Sequence, residues 1–347
     1  MDFIMNGSAN GSVAGRLLES GFDVNALKPC QDPATGKCYI NVGGKDHEIS
    51  VNDATLRKEE WLTLDKAVRE AARPRMKAIN DLRTRGLVYS LNGMATTVLQ
   101  GQRMSDVSGA QIAMDTEIRT EADRPLFDTY NLPLPIIFRD FYFGARELAV
   151  SRNGGQPLDT LMVAQAGRGI AEVAEKLLLG TYGTYTFGGG TIYGYTNHPD
   201  RITDTNLHDW AASGITGAEV LEDVKRLKQA SLGDYHYGPW TMYVSSNFAP
   251  ALDDDFKAAS NITTRQRLLQ VDGIESISTL EYLPDNTVLL VEMQSETVRL
   301  INGLDLQTVQ WSSNGGSRLD FKAMTILVPQ LRSDINGRMG LVHATHA

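Results

Sequence analysis

The sequence predicts an α+β fold, and three observations support this prediction. Residues 134–150 are rich in aromatic and β-branched side chains, which is typical of extended chain. Residues 157–180 carry apolar side chains at spacings of three and four, which predicts one long helix. Beyond residue 240, short β-branched runs alternate with turn formers, which predicts a series of strands. The body of the protein is therefore expected to mix helices with sheets.

Composition and charge restrict the class of protein. The chain has 347 residues, of which 42% are hydrophobic and 22% charged, as in a soluble globular protein of one large or two ordinary domains. A net charge of −9 argues against a general polyanion-binding surface. The sequence shows neither an apolar run long enough to span a membrane nor a signal peptide. Cys30 and Cys38 can close a small disulfide loop, but two free thiols in a reducing compartment are the favoured interpretation.

Residues 1–56 are predicted to form an N-terminal arm. They are rich in turn formers, with a short helix expected at 13–20 and two strands, at 38–42 and 47–51, expected to pair across Gly43 and Gly44. Alone, this segment buries little apolar surface. An arm that lies on another surface is therefore expected, with a disordered tail as the alternative.

Helices are predicted over residues 53–84. Asn52 or Asp53 is the expected cap of the first helix, and Pro74 interrupts the pattern. The apolar positions of the first helix are Leu56, Trp61, Leu64, Val68 and Ala72, and those of the second are Met76, Ile79 and Leu82.

Residues 85–133 are predicted to form an extended, two-stranded loop. Runs at 87–91 and 95–99 favour strands, a polar tip is expected at 101–109, and a further strand-like run covers 111–118. The loop has too few apolar residues for a core of its own. Because an isolated hairpin is marginally stable in water, we expect a neighbouring molecule to cover it.

The long helix at 157–180 is named the spine helix. Pro157 and Asp159 suit its first turn, Glu172 and Lys176 form an i,i+4 pair, and Gly180 ends it. Gly167 and Gly169 interrupt its apolar stripe, so we expect the helix to bend. The predicted stripe consists of Leu158, Met162, Ala166, Ile170, Val173, Ala174 and Leu177.

The C-terminal part alternates helices and strands. Thr216 and Glu219 form a capping box that opens a helix ended by Gly233. A strand at 240–245 and a short helix through Leu252 follow. Further strands are expected at 274–280, 287–293, 297–301, 307–311 and 319–327, with a hairpin turn at 314–316 and a last turn at 332–338 before a closing strand.

No motif for catalysis, metal or cofactor binding is recognised. The run Gly188 to Gly190 lacks the residues of a phosphate loop, and 253–255 lacks the calcium-loop pattern. The six histidines show no metal-ligand spacing, and His343 and His346 are expected in solvent. No nucleophile motif occurs. We therefore predict no catalytic, metal or cofactor site.

Charged residues near the loop and the aromatic strand are candidates for contacts between subunits. As neighbours in sequence, Arg139 with Asp140 and Arg146 with Glu147 are interpreted as surface ion pairs, with an intersubunit role as the alternative. The full set of intersubunit candidates is Arg103, Asp106, Arg139, Asp140, Arg146 and Glu147.

Several motifs occur in an order that resembles one known family. They are Arg124-Pro125 through Leu134-Pro-Ile-Ile-Phe-Arg-Asp-Phe-Tyr-Phe, the helix ending in Ala171-Glu-Val-Ala-Glu-Lys-Leu-Leu-Leu-Gly180, the element Ile192-Tyr-Gly-Tyr-Thr-Asn-His-Pro199, the strand Met242-Tyr-Val-Ser-Ser-Asn-Phe, and Leu300-Ile-Asn-Gly-Leu-Asp-Leu. Together with Phe321-Lys-Ala and Val328-Pro-Gln-Leu-Arg they cover about 280 residues. In this order they resemble the major capsid proteins of tailed bacteriophages with the Hong Kong 97-like fold, which encapsulin shell proteins share.

The resemblance implies a domain organisation. Helices at 57–84 and the loop at 85–133 would precede a peripheral domain of residues 134–216 and 301–327. An axial domain would consist of 217–300 and 328–347. Because one chain must bend differently in pentamers and hexamers, hinges are expected. The hinge candidates are Gly167, Gly169, Gly188, Gly189 and Gly190.

The resemblance also implies a function. The chain would be a non-enzymatic structural subunit that forms pentamers and hexamers of an icosahedral phage head around double-stranded DNA, without sequence-specific DNA binding and without a membrane. Its location would be the virion, after assembly in the host cytoplasm. Possible partners are a separate scaffolding protein, a portal, and a decoration or cement protein. Since no lysine lies between Lys77 and Lys176, a shell without covalent crosslinks is expected.

Two alternatives stay open. An encapsulin-type nanocompartment shell, which encloses a cargo enzyme, has the same fold, although the long N-terminal arm favours the virus. A soluble α+β enzyme with an unrecognised site is the remote alternative.

Overall fold

The computed structural model describes residues 30–31, 38–42, 45–49, 58–105, 114, 127–154, 160–257, 261–313 and 317–346. Contacts divide the chain into two compact units. The first comprises 1–58, 143–157 and 312–319, and the second comprises 59–142, 158–311 and 320–347.

The helices in the described part of the chain are α1 (Lys58–Ala72), α2 (Lys77–Thr84), α3 (Ala145–Gly154), α4 (Leu161–Leu179, the spine helix), α5 (Gly217–Gly233), α6 (Ala249–Asp253) and α7 (Thr264–Leu269), with 3₁₀ turns at Arg73–Arg75 and Ser246–Phe248. The strands are β1 (Cys30–Gln31), β2 (Cys38–Val42), β3 (Lys45–Ile49), β4 (Val88–Ser90), β5 (Val98–Met104), β6 (Phe127–Pro133), β7 (Ile137–Gly144), β8 (Tyr185–Phe187), β9 (Gly190–Ile192), β10 (Ile202–Asp204), β11 (Trp240–Ser245), β12 (Ile274–Leu280), β13 (Thr287–Glu292), β14 (Val298–Ser313), β15 (Arg318–Leu331) and β16 (Leu341–Thr345).

A five-stranded sheet in the order β10-β16-β13-β11-β12 forms the best-buried part of the second unit. Its central strand β11 runs antiparallel to β13 and parallel to β12. Every residue of β11 and β13 is buried, so both faces of the sheet are covered. On one face, Met242 and Leu290 pack with Val224 and Leu227 of α5, whose predicted capping box is present.

The spine helix packs against a four-stranded sheet in the order β4-β14-β15-β7. Strand β4 pairs with β14 in parallel, with Leu300 opposite Val88. Leu177 of the spine helix packs into one apolar cluster with Ile301, Ile326 and Val328. The predicted stripe of the helix therefore does face a core along its C-terminal half.

The N-terminal strands β1, β2 and β3 form an antiparallel sheet in the first unit. The predicted pairing across Gly43 and Gly44 is confirmed, but the second strand is Lys45–Ile49 rather than 47–51, with Val42 opposite Lys45. Gln31 pairs with Cys38 and Cys30 with Tyr39. The helix predicted at 13–20 and the caps at Asn52 or Asp53 lie outside the described residues.

Two predicted bounds around the spine helix are wrong. Extended chain ends at Gly144, and helix α3 begins at Ala145, where Ala-Arg-Glu-Leu are all good helix formers and Leu148 is buried. The spine helix begins at Leu161 with Thr160 as its N-cap, not at Pro157. Pro157, Leu158 and Asp159 lie outside the described residues.

The predicted stripe is displaced by one residue at the start of the spine helix. Met162 is 46% exposed, whereas Val163 is fully buried. The cause is Gly167, whose missing side chain lets α1 approach: a Cβ built there would lie 2.5 Å from the carbonyl oxygen of Val68. The buried face therefore runs through Val163 and Gly167 rather than through Met162.

Two other expectations differ from the structure. The strands predicted at 297–301 and 307–311 form one strand, β14, because Gly303 continues the pairing and lies closely against Gly93 and Ile326. Strand β5 runs through the predicted loop tip as far as Met104. Strand β10, which was not predicted, pairs with β16 and places 202–204 in the five-stranded sheet.

Candidate intersubunit surface

The extended loop is a two-stranded ribbon with little burial of its own. Strands β5 and β6 pair antiparallel from Val98 opposite Pro133 to Met104 opposite Phe127. No residue from Val98 to Arg103 is buried, and in β6 only Leu132 and Pro133 are. The prediction that the loop lacks a core is confirmed for its described residues.

An ion pair and two hydrogen bonds hold the paired part of the loop, strands β5 and β6, which we name the root of the loop. Arg103 on β5 places its Nη1 3.3 Å from Oδ2 of Asp200, and the Ser333 hydroxyl donates to the same oxygen over 2.6 Å. The Arg103 guanidinium also lies over the ring of Tyr130, 5.4 Å from its centroid. The Tyr130 hydroxyl accepts a hydrogen bond from Nε2 of Gln330. We name these five residues the root cluster.

The glycine hairpin β8–β9 lies against the same root. Gly188 and Gly189 have φ values of 59° and 74° and form its turn. The Asn131 side-chain amide donates to the carbonyl oxygen of Gly188 over 3.0 Å. At Gly190 the backbones approach so closely that a Cβ would lie 2.1 Å from the Asn131 carbonyl oxygen. The three glycines thus have a packing role at the loop root, while their role as hinges stays a prediction.

A cleft of about 310 Å³ opens at the root. Its lining includes Arg103, which is paired with Asp200, and the buried imidazole of His198. Burial lowers the pKa of His198 to about 4, so the ring is neutral and its Nδ1 accepts from the backbone N–H of Asp200. The lining residues include Thr129, Asn131, Thr191, Tyr193, Pro329 and Leu331.

A group of exposed large side chains lies on strands β7 and β14 of the four-stranded sheet. Phe138, Tyr142, Val309 and Trp311, which we name the aromatic strip, are each between 41% and 57% exposed. Lys322 lies beneath them, with its Nζ 4.6 Å from the Phe138 ring centroid. Clustered exposed aromatics of this kind are typical of protein–protein interfaces.

The structure describes five of the six intersubunit candidates. Arg103 forms an ion pair with Asp200 of the same chain. Asp140 lies 3.7 Å from Lys322, beside the aromatic strip, and not paired with its sequence neighbour. The remaining candidates are Arg139, Arg146 and Glu147, all exposed, and Asp106, which lies outside the described residues.

Sequence reasoning missed most of the root cluster. Asp200 and Ser333 are 133 residues apart, and Gln330 and Tyr130 are 200 apart, so no local spacing links them. The only available signal was that Asp200 follows the Asn197-His-Pro element, which the sequence singled out.

The expectation that the C-terminal histidines lie in solvent is wrong. His343 lies on β16, where its Nδ1 accepts from Nε of Arg201 over 3.1 Å. Burial lowers its pKa to about 4. The His346 ring nitrogen Nδ1 bonds to the Leu207 carbonyl oxygen over 2.8 Å. Both positions follow from the pairing of β16 inside the five-stranded sheet.

Within the described ranges, no three His, Cys, Asp or Glu side chains are grouped as metal ligands. A helix that is both long and apolar enough to cross a membrane is likewise absent from those ranges.

Known proteins with similar sequence and structure are shell proteins. The type 1 encapsulin shell protein EncA of Myxococcus xanthus is 24% identical over 256 residues, which is 73% of this chain and 77% of EncA. The virus-like particle of Pyrococcus furiosus matches with a TM-score of 0.61 at 13% identity, over 82% of this chain and 99% of that one.

Two capsids extend the comparison. That of Myoviridae phage XM1 has a TM-score of 0.59 at 9% identity, over 77% of this chain and 92% of that one. The native GTA particle capsid has a TM-score of 0.55 at 14% identity, over 92% of this chain and 100% of that one. The protein has the Hong Kong 97-like capsid fold. A family model matches residues 51–344, and the chain belongs to the family of unknown function DUF6260.

Proposed function

We propose that this protein is the structural subunit of a closed shell, a major capsid protein that assembles as pentamers and hexamers into an icosahedral phage head around double-stranded DNA. The observation that carries the proposal is the extended loop, which is fixed at its root by Arg103, Asp200 and Gln330 but buries almost nothing along its described length. A neighbouring subunit supplies the missing surface.

The aromatic strip supports the same conclusion. Exposed Phe138, Tyr142 and Trp311 cost solubility in a monomer but contribute to association when a neighbour covers them. The six charged candidates act at the margins of such contacts, where they favour correct orientation more than affinity. We infer a non-enzymatic role and a location in the virion. A scaffolding protein, a portal and a cement protein are the proposed further partners.

An encapsulin-type compartment is the second candidate, and the similarity to EncA over 77% of its length favours it. The arm at 1–56 favours the phage head. The two functions differ in content: a phage head encloses DNA, whereas a compartment encloses a protein cargo. The ratio of nucleic acid to protein in particles purified from the native source separates them.

Electron microscopy of the purified chain tests the shell itself. Closed particles of uniform diameter are expected. The matched variant replaces 105–126 by a short turn between β5 and β6. We expect it to fold, with an unchanged circular dichroism spectrum, but to remain as capsomers or monomers. A wild-type protein that stays monomeric at high concentration, both alone and when co-expressed with a scaffolding protein, would contradict the proposal.

A gel under denaturing and reducing conditions tests the absence of crosslinks. Because the loop offers no lysine, particles should migrate as a single band at the 38.1 kDa of the monomer. A ladder of higher bands would show that another amine replaces it.

A further inference from the structure

A buried carboxylate joins the spine helix to α2. Glu175 is 1% exposed. Its oxygens accept hydrogen bonds from the backbone N–H groups of Ala78, over 2.7 Å, and Ile79, over 3.3 Å. These are among the first N–H groups of α2, whose own N-cap residue, Met76, supplies no side-chain bond. Glu175 therefore caps α2 from a helix that lies about 100 residues away in sequence.

A second contact, which is partly buried, joins α2 to the five-stranded sheet. Asp81 accepts a hydrogen bond of 3.1 Å from the hydroxyl of Tyr243, which lies on the central strand β11. Tyr195 stacks on Tyr243 with 6.1 Å between the ring centroids. Tyr195 is fully buried, and its hydroxyl has no hydrogen-bond partner within the described part of the chain. Helix α2 is thus tied to two separate elements, to the spine helix through Glu175 and to strand β11 through its own Asp81.

The basic residues around α2 are paired elsewhere. Arg75 lies 3.3 Å and Lys77 3.9 Å from oxygens of Glu281, and Arg85 binds Glu275. Lys176, the residue after Glu175 on the spine helix, lies over the ring of Tyr282. No cation forms an ion pair with Glu175 or Asp81 in the described ranges.

Burial has the largest effect on the pKa of each titratable group in this arrangement. Burial raises the pKa of Glu175 to about 7, the two backbone N–H groups and Lys77 oppose this, and the charge of Asp81 adds to it. Burial also raises the pKa of Asp81, against the hydrogen bond from Tyr243 and the charge of Arg85. Burial raises the pKa of Tyr195 and Tyr243, which stay neutral.

We propose that the docking of α2 between the spine helix and the five-stranded sheet is a proton-linked junction, tight when Glu175 is protonated and weakened when it ionises. A neutral Glu175 still accepts from Ala78 through one oxygen. Once ionised, it sets an unpaired charge in the interior beside Asp81. The proposal concerns contacts inside one chain, so it is independent of whether the chain forms a shell.

The direction of the pH effect follows from linkage. An unfolded glutamate titrates near pH 4.5 and Glu175 near 7, so between these values the folded chain holds more protons than the unfolded one. The unfolding equilibrium constant therefore rises with pH in this window, by up to about tenfold per unit, and the contribution of this group is constant above it.

Hydrogen exchange of α2 read by mass spectrometry tests the proposal on the full-length chain, held in one assembly state from pH 5 to 8. After correction for intrinsic rates, wild-type α2 should lose roughly tenfold to a hundredfold in protection across this range. Glu175→Gln, which keeps an acceptor for Ala78 but does not titrate, should show constant protection. Glu222→Gln on α5, an exposed glutamate, is the matched control and should follow the wild type.

A second variant keeps the test decisive if Glu175→Gln fails to fold. Asp81→Asn removes the neighbouring negative charge and should move the midpoint of the wild-type profile to lower pH. Equal pH dependence in the wild type and Glu175→Gln, or an unmoved midpoint in Asp81→Asn, would overturn the proposal.

Discussion

The extended loop and the five-stranded sheet lie in the same compact unit, yet different interactions hold them in place. The central strands β11 and β13 bury every side chain, and their order follows from apolar burial within the chain. In the loop, β6 buries only Leu132 and Pro133, and a few polar contacts at the root set its direction. The sheet buries its side chains within one chain, whereas the loop is the part for which we propose a neighbouring subunit as cover.

The largest effect should come from opening the sheet core. Leu290→Ala removes a fully buried side chain from the cluster of β13 with α5 and should lower the free energy of unfolding by about 2–5 kcal/mol. Val309→Ala, on the exposed aromatic strip, is the control and should change it by about 0.5 kcal/mol or less. Chemical denaturation of the unassembled protein measures both. Equal losses would contradict the distinction between core and strip.

Alanine substitutions at two glycines of the spine helix should have the next-largest effect on the free energy of unfolding. At Gly167 a methyl group meets the Val68 backbone, so Gly167→Ala should cost about 1–3 kcal/mol. At Gly169 it meets only the end of the Arg139 side chain, which can move, so Gly169→Ala should be neutral or gain up to about 1 kcal/mol in helix propensity. Thermal unfolding decides. Similar behaviour of both variants would contradict the close packing at Gly167.

Acid should weaken the loop root. His198 has a pKa lowered to about 4 by burial, so its contribution is present above the unfolded value of 6.5 and is lost as pH falls toward 4. Protonation also removes the acceptor for the Asp200 N–H. Between pH 6.5 and 5, this group should lower the free energy of unfolding by roughly 1–2 kcal/mol. Chemical denaturation at each pH measures the free energy of unfolding. In His198→Gln, this free energy should depend less on pH between pH 4 and 6.5 than in the wild type. An unchanged pH dependence would exclude His198 as its source.

The smallest effect on stability should come from the root ion pair. Asp200→Asn removes the charge opposite Arg103, and since both side chains are partly exposed, the loss should be under about 1 kcal/mol. Hydrogen exchange of β5 and β6 should nevertheless rise, and particle yield should drop. Asp140→Asn, which removes the exposed partner of Lys322, is the control for loop exchange and should leave it unchanged. Unaltered loop exchange in Asp200→Asn would show that the root cluster does not hold the loop.

Sequence patterns were informative wherever one local period decided the structure. The apolar positions Leu64, Val68, Ile79 and Leu82 were predicted from helical spacing, and all are buried. The strand at 240–245 has the predicted bounds. Predictions were wrong where a contact distant in sequence decided which face of a helix is buried. Met162 was expected to be buried, but Val163 is buried instead, because α1 lies against Gly167.

The sequence by itself determined the α+β class, the spine helix, the capping box at Thr216 and a loop without a core, because each depends on residues near one another in the chain. Only the tertiary structure decided how the loop is held and where buried charge lies. Asp200 meets Arg103, Gln330 meets Tyr130, and Glu175 caps α2 across separations of about 100 to 200 residues. Such pairings leave no local pattern, since the packing of whole elements brings them together.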